Sequence, residues 1–128
     1  MSAILTAGLF CLATNVYFEA RSEDIEGQRA IAEVTLNRVS SDKYPNNICD
    51  VVWQRKQFSW THDGKSDYPR DFEAWLKAIE VASEVMNRKT KGKLGPKVHH
   101  YHSKKVNPSW AKTMKPIAKI GNHIFYSS

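Results

Sequence analysis

The residues best placed to do chemistry surround Glu19, in the run NVYFEARSE at positions 15–23. Residues 3–18 carry no charge and place apolar side chains three and four positions apart, which predicts a helix that ends near Glu19. Burial beside Tyr17 and Phe18, together with the negative end of the helix dipole, disfavours the charged form of a carboxyl group. A carboxyl group that stays protonated near neutral pH is what general acid catalysis requires. Arg21 opposes this effect if it turns toward Glu19, and a surface glutamate on a fraying helix end is the alternative interpretation.

Three sequence blocks extend this pattern along the chain. The first is YFEARSE at 17–23 with EGQRAIAEV at 26–34 and LNRV at 36–39; the second is PNNICDVV at 45–52 and QFSW at 57–60; the third is YH at 101–102, NPSWA at 107–111 and IGNHIFY at 120–126. In this order the blocks resemble the bacterial cell-wall hydrolase family, typified by spore-cortex-lytic enzymes of the SleB type. The sequence departs from the family's usual wording at Phe18 and Ser22, where glycine is common, and at Ser103-Lys104, where Asn-Pro is usual.

The resemblance implies a mainly α (α+β) fold, a small lysozyme-like domain of four to five helices with a minor antiparallel β element. It also implies a peptidoglycan-degrading enzyme that cuts the bond between N-acetylmuramic acid and N-acetylglucosamine. With Glu19 as its one catalytic glutamate, such an enzyme is a lytic transglycosylase that leaves 1,6-anhydro ends, and Tyr101 is the tyrosine expected to orient that glutamate. An amide and flat rings suit sugar recognition, and the predicted substrate-binding residues are Gln57, Phe58, Ser59, Trp60 and Tyr126. Core packing is the alternative for Phe58, and a half-buried strand position is the alternative for Tyr101 and Tyr126.

Two other functions are compatible with the sequence. A hydrolytic muramidase would need a second carboxylate as base or nucleophile, and the candidates are Glu23, Asp24, Glu26, Asp63 and Asp67. A basic, aromatic-rich helical domain could also bind wall glycan or nucleic acid without catalysis. The basic residues are spread over a loop, a strand and a helix rather than along one recognition helix, so we expect peptidoglycan and not nucleic acid as the partner.

The length of 128 residues predicts one catalytic domain, residues 1–128, with a core that needs neither disulfides nor metals. Cys11 and Cys49 lie in apolar contexts, which favours buried thiols over a bridge and disfavours a reactive thiolate at Cys11. His99, His100 and His102 cluster on a predicted strand, but the chain has neither an HExxH motif nor cysteines at zinc spacing. We therefore expect no metal and no cofactor.

Charge is distributed very unevenly along the chain. Residues 1–84 carry nine basic and thirteen acidic side chains, a balance of −4, whereas residues 85–128 carry ten basic side chains and no acidic one, a balance of +10. Such an excess favours attraction to a polyanion, and an anionic cell wall is one candidate. A solvated lysine-rich face that only aids solubility is the alternative.

The apolar start of the chain resembles the core of a signal peptide but lacks the basic segment that precedes such a core. No apolar run is long enough for a transmembrane helix, so no stable membrane insertion is expected. The sequence thus predicts a monomer made in the cytoplasm without a signal peptide, acting on the wall after release through a permeabilised membrane, as a phage lysin does.

Periodicity and capping signals predict the elements that must position Glu19. Helices are expected at 3–20, 24–39 with Ser22 or Asp24 as cap, 48–54, and from the cap Asp71 to the stop at 87–92. On the second helix, Arg29 and Glu33 are expected to form an i,i+4 pair on a face other than the buried one. Short strands are predicted at residues 97–103 and 122–126, and a last helix is expected at 108–115 before Pro116.

Overall fold

Four α-helices precede a small antiparallel sheet in the structure, a computed structural model that describes residues 6–54, 59–62, 64–66, 68–88 and 92–127. The helices are α1 (Ala7–Ala20), α2 (Ile25–Val39), α3 (Ile48–Val52) and α4 (Phe72–Met86), and the strands are β1 (Val98–Ser103), β2 (Lys115–Ile120) and β3 (His123–Ser127). Two 3₁₀ helices cover Ser59–His62 and Ser109–Thr113. This arrangement confirms the predicted fold class.

Side-chain caps start the three long helices. Thr6, Asp24 and Asp71 each accept a hydrogen bond from the backbone N–H three residues ahead, at 3.2, 3.0 and 3.1 Å. Such a cap satisfies one of the donors that every helix leaves free in its first turn. Asp24 and Asp71 are caps that the sequence predicted; α1 begins at Ala7, and residues 3–5 of the predicted helix lie outside the described residues.

Helix α1 lies at the centre of the fold and packs against α2, α3 and α4. Its buried residues Leu12, Val16 and Tyr17 form one core cluster with Val81 and Ala82 of α4. The Tyr17 hydroxyl also accepts a hydrogen bond from the backbone N–H of the α4 cap at 3.0 Å. Because α1 is held on three sides, its C-terminal turn is a rigid support for Glu19.

The strand order β1-β3-β2 places β3 in the middle of the sheet. Tyr101 and Ala118 both pair with Phe125, whose side chain is fully buried against α2. Because side chains alternate along a strand, His100, His102 and Tyr126 lie on the opposite, outer face. The sheet therefore turns one face toward the helices and the other away from them.

Strand β2 was not predicted, and the expected helix at 108–115 is wrong beyond Thr113. Only the 3₁₀ helix Ser109–Thr113 forms there, and the chain is extended from Lys115. Pro116 disfavours helical conformation in the residue before it and has no N–H to donate. An edge strand accommodates such a residue, and β2 lies at the edge of the sheet.

The two cysteines form a disulfide, so the expectation of free buried thiols is wrong. Cys11 of α1 and Cys49 of α3 are bonded with their Cα atoms 5.2 Å apart, across 38 positions of sequence. The apolar surroundings predicted for Cys11 are confirmed, because Cys11 packs beside Val52 and Trp60. The bridge could not be predicted from spacing along the chain, because the packing of α3 against α1 brings the two sulfurs together.

The expected Arg29–Glu33 pair is also wrong. Arg29 instead binds Glu26 and Glu84, each at 2.7 Å. Glu33 points inward and accepts a hydrogen bond from the backbone N–H of Leu94 at 2.9 Å. Helix α2 is covered on more than one side, so a face that looks polar in the sequence is buried in the fold.

Among the described residues, none of the helices combines the length and apolar character needed to cross a bilayer.

Candidate active site

Glu19 occupies the last turn of α1, as predicted from the end of the apolar run. Tyr17 is buried and Phe18 is partly buried, with their rings in edge-to-face contact at 4.9 Å between centroids. The Arg21 guanidinium lies over the Tyr17 ring, 4.8 Å from its centroid. Arg21 is therefore held by a cation–π contact, which resolves the question that the sequence left open.

Tyr101 reaches Glu19 from the sheet. Its hydroxyl donates a hydrogen bond to Glu19 Oε1 at 2.9 Å, across 82 positions of sequence. Burial raises the pKa of Tyr101 well above its ordinary value, and the neighbouring Glu19 charge acts in the same direction. The phenol therefore remains protonated and is a permanent donor to the carboxyl group. The inward face of β1 positions the Tyr101 ring, which contacts Phe125 and His123.

Burial raises the pKa of Glu19 above its ordinary value. The Tyr101 hydrogen bond and the positive charge of Arg38 oppose that effect but do not cancel it. Arg38 is itself anchored, because its Nε donates to the His99 carbonyl at 2.8 Å. The site thus combines a carboxyl group that resists ionisation with a fixed hydroxyl donor, the combination required of a general acid that later becomes a base.

Glu23, one of the candidates for a second carboxylate, is fully engaged by the β2–β3 turn. Its Oε1 accepts from the Asn122 backbone N–H at 2.7 Å and lies 3.2 Å from His123 Nδ1, while Oε2 accepts from Asn122 Nδ2 at 3.0 Å. Gly121 has a positive φ of 58°, and a Cβ there would come within 2.7 Å of Glu23 Oε1. This carboxylate ties the sheet to the α1–α2 junction.

The other described candidates for a second carboxylate, Asp24 and Glu26, are bound at helix α2 and do not contact Glu19. Asp24 caps α2, and Glu26 lies between Arg29 at 2.7 Å and Lys93 at 2.6 Å. Asp63 and Asp67 lie outside the described residues. None of the three described candidates contacts Glu19, so the structure offers Glu19 no partner carboxylate among them.

The predicted substrate-binding segment is described only in part. Gln57 and Phe58 lie outside the described residues, and Ser59 begins a 3₁₀ helix. Trp60 is only 6% exposed: its ring stacks on Phe18 with centroids 4.9 Å apart, and its Nε1 donates to Asn15 Oδ1 at 3.1 Å. In this position Trp60 supports the residue that precedes Glu19, and its predicted contact with substrate stays a prediction.

Tyr126 does not join Glu19 and Tyr101. It lies on the outer face of the sheet, where its hydroxyl is 2.8 Å from His102 Nε2 and its ring stacks on the same imidazole. Trp110 covers this pair with its centroid 5.3 Å from that of Tyr126. Alternation along β3 separates Tyr126 from the inward side, so the two predicted tyrosines belong to different surfaces.

Sequence reasoning did not identify Asn15 and Trp53. Asn15 is fully buried and connects Trp60 to Thr35, to whose Oγ1 it donates at 3.1 Å. A buried amide in an otherwise apolar helix is the signal that could have identified it, because such a group needs partners. Trp53 ends α3, and its exposure could not be read from a sequence that places it after two valines.

The histidines of β1 are held by aromatic neighbours. His100 and His102 share the outer face as expected, and His100 Nε2 lies 3.4 Å from the Tyr44 hydroxyl. Burial lowers the pKa of both His99 and His100. Over the part of the chain that the structure describes, no three metal-binding side chains converge on one point.

The sequence matches the model of a family described as Cell Wall Hydrolase over residues 22–126, a match that begins just after Glu19. Spore cortex-lytic enzymes are among its relatives. Those of Oceanobacillus iheyensis and Bacillus subtilis are each 31% identical over 116 residues, which is 89% of this chain but 39% and 35% of those proteins. The chain thus spans about two fifths of the length of the curated relatives it matches.

Two solved structures are similar over almost the whole chain. The catalytic domain of the germination-specific lytic transglycosylase SleB from Bacillus anthracis has a TM-score of 0.78 and 28% identity, covering 99% of this chain and all of that one. The catalytic domain of the Bacillus cereus SleB protein has a TM-score of 0.71 and 26% identity, covering 99% and 95%.

Proposed function

Because the chain belongs to the cell wall hydrolase family, we propose that it is a peptidoglycan lytic transglycosylase with Glu19 as the catalytic group. The observation that carries this proposal is the Tyr101 hydroxyl 2.9 Å from Glu19 Oε1, beside a carboxyl group whose pKa is raised by burial. The relatives named as lytic enzymes of the spore cortex support the choice of peptidoglycan as substrate.

In the first step, protonated Glu19 gives its proton to the oxygen between N-acetylmuramic acid and N-acetylglucosamine. That bond breaks as positive charge develops on the muramic acid anomeric carbon, and N-acetylglucosamine leaves with a new hydroxyl. The Glu19 carboxylate then removes the proton from the muramic acid C6 hydroxyl, whose oxygen closes onto the anomeric carbon. Glu19 ends protonated, the product has a 1,6-anhydro end, and no water is consumed.

Tyr101 supports both steps without changing its own protonation. While Glu19 is an acid, the phenol fixes the position of Oε1 and leaves the other oxygen to carry the proton. While Glu19 is a carboxylate, the same hydrogen bond stabilises its charge. Arg38 contributes a more distant positive charge in the same direction.

A hydrolytic muramidase is the second candidate, since Asp63 and Asp67 remain as partners that could position a water. Digestion of purified peptidoglycan in heavy-oxygen water separates the two reactions. We expect anhydro ends that carry no label and cannot be reduced by borohydride. Labelled, reducible muramic acid ends would make the protein a hydrolase. Turbidity that never falls, combined with firm retention on wall or DNA, would indicate a binding module instead.

We further propose that the protein is a phage lysin that keeps its apolar N-terminal segment and works on the wall after passing a permeabilised membrane. The apolar segment that resembles a signal core contributes Leu9, Leu12 and Ala13 to the core, so its removal would unfold α1. The disulfide Cys11–Cys49 also suits an oxidising compartment. Mass spectrometry of the wall-bound protein tests this, because a cleaved N-terminus contradicts it.

The disulfide has a measurable consequence. It closes a loop across 38 positions, and a bridge of that span stabilises a fold by about 3 to 4 kcal/mol, mainly by restricting the unfolded chain. Reductant should therefore lower the midpoint of urea unfolding of the wild type. The Cys11→Ser/Cys49→Ser double variant is the control, and it should not respond to reductant. An equal response of both proteins would show that the bridge is not formed in solution.

We propose that the basic C-terminal region attracts the protein to the wall. We also propose that the protein acts as a monomer and binds no nucleic acid. Lys104 and Lys105 are exposed just after β1. Lysis of intact wall should fall as salt rises, because screening weakens a dispersed charge. Replacing both lysines with glutamine should weaken wall binding and leave turnover of a short soluble glycan unchanged. Equal losses on both substrates would place them in the catalytic groove.

A further inference from the structure

Trp53 is an exposed tryptophan in a position that the core does not require. It ends α3 directly after Val51 and Val52, which are both fully buried and supply the packing of that helix. The Trp53 side chain is 46% exposed. A large flat ring in water is unfavourable for stability, and isolated examples need no explanation, so its neighbours decide whether it has a role.

Trp53 is the outer ring of an aromatic stack that leads to the candidate active site. Its centroid lies 5.0 Å from that of Trp60, in edge-to-face contact. Trp60 in turn stacks on Phe18 at 4.9 Å, and Phe18 immediately precedes Glu19. Tyr101, the donor to Glu19, packs against the same cluster as Trp60. A continuous set of contacts therefore connects an exposed indole with both members of the catalytic pair.

The stack is also held in place from below. Trp60 is fixed by its hydrogen bond to Asn15, and Asn15 by its hydrogen bond to Thr35 of α2. The disulfide between Cys11 and Cys49 joins α1 to α3 four positions before Trp53. Trp53 thus stands on a braced surface, and a preorganised ring loses little conformational entropy when a ligand covers it.

We propose that Trp53 is a stacking platform for a pyranose ring of the glycan strand, at a position away from the bond that is cleaved. This inference rests on the proposed function, since it takes the glycan as the ligand. One face of a pyranose presents C–H groups, and their contact with the indole face removes apolar surface of both partners from water. The platform contributes to holding long strands and takes no part in proton transfer.

The test is retention on insoluble peptidoglycan, measured in the Glu19→Gln background so that the wall is not degraded. Trp53→Ala should weaken binding by about tenfold, the scale of one lost aromatic contact, whereas Trp53→Phe keeps a flat ring and should stay near the parent. Phe72→Ala is the matched control: Phe72 is 68% exposed on α4 and lies outside the stack. It should bind as the parent does.

Kinetics of the catalytically active protein, in which Glu19 is intact, give a second measurement. Trp53→Ala should raise KM for long glycan strands and leave kcat unchanged, because the ring acts on binding alone. Unfolding midpoints of all variants are measured alongside; if Trp53→Ala is destabilised, Trp53→Leu takes its place, because it keeps an apolar side chain without a flat face and should lose retention that Trp53→Phe keeps. Parent-like retention and KM for Trp53→Ala, or an equal loss for Phe72→Ala, would overturn the platform. Failure of the wild type to release anhydro muropeptides would instead refute the proposed function, and the retention experiment is independent of it.

Discussion

Glu19 and Glu23 lie four residues apart at the junction of α1 and α2, yet their carboxyl groups have opposite surroundings. Glu23 is reached by three nitrogen groups of the β2–β3 turn, the Asn122 N–H and Nδ2 and the His123 imidazole. Among the described residues, the Tyr101 hydroxyl is the one donor that reaches Glu19. Both side chains face the sheet, so the difference comes from what the sheet presents to each.

The comparison shows how a fold distinguishes a carboxylate that holds segments together from a carboxyl group that transfers a proton. A carboxylate that accepts several hydrogen bonds from other segments is held in place and ties those segments together. Glu33 is a further example, because its Oε2 accepts from the backbone N–H groups of Leu94 and Gly95. Among the described residues Glu19 accepts from the Tyr101 hydroxyl alone, and its burial raises the pKa, which suits a group that must hold and release a proton.

The largest effect is expected from removing the proton donor. Glu19→Gln is nearly isosteric, keeps an acceptor for Tyr101 and cannot give an acid proton. Lysis of purified peptidoglycan, followed by turbidity, should fall more than about a hundredfold while the circular dichroism spectrum is unchanged. A folded Glu19→Gln protein that still lyses wall would transfer the catalytic role to another residue.

Glu23→Ala should act on stability instead. It removes a charged acceptor and leaves the buried His123 side chain and the turn without their partner, which should lower the free energy of unfolding by about 2 kcal/mol. Urea unfolding measures this. Below the midpoint, kcat on soluble glycan should stay close to wild type. If Glu23→Gln, which preserves more of the hydrogen bonding, abolishes turnover in a stable protein, Glu23 is the second carboxylate after all.

Tyr101→Phe tests the hydrogen bond from the Tyr101 hydroxyl to Glu19. The ring still fills its place against Phe125, but Oε1 loses its hydrogen bond, and the rate should fall about tenfold, the size of one lost hydrogen bond to a charged group. The Tyr101 bond lowers the pKa of Glu19, so its loss raises that pKa further. Activity that needs protonated Glu19 declines as pH rises through that pKa, and the alkaline limb of the pH–rate profile should therefore move to higher pH. An unmoved limb would mean that another group controls it.

The smallest effect concerns stability and pH. The pKa of Glu19 is raised in the folded state, so its contribution to stability is fully present below the unfolded pKa and is lost as pH rises through the folded one. Glu19→Gln never ionises and should be slightly more stable than wild type at neutral and alkaline pH, with the difference vanishing in acid. Melting temperatures across pH measure it. A difference that persists in acid would exclude ionisation as its cause.

Much of the local structure could be predicted from the sequence. The three long helices, the caps Asp24 and Asp71 and the position of Glu19 in a last helical turn follow from periodicity and capping, which act over three or four residues. The link between Tyr101 and Glu19 was expected from family resemblance alone, because nothing in their own spacing across 82 positions indicates contact.

Tertiary structure decided the rest, because the interactions concerned join distant parts of the chain. The Cys11–Cys49 bridge depends on the packing of α3 against α1, the inward turn of Glu33 on coverage of α2, and the separation of Tyr126 from Tyr101 on the register of β1 with β3. The sequence by itself determined that a glutamate would end an apolar helix. Only the tertiary structure brought three nitrogen groups of the β2–β3 turn to Glu23 and the Tyr101 hydroxyl to a Glu19 whose pKa is raised by burial.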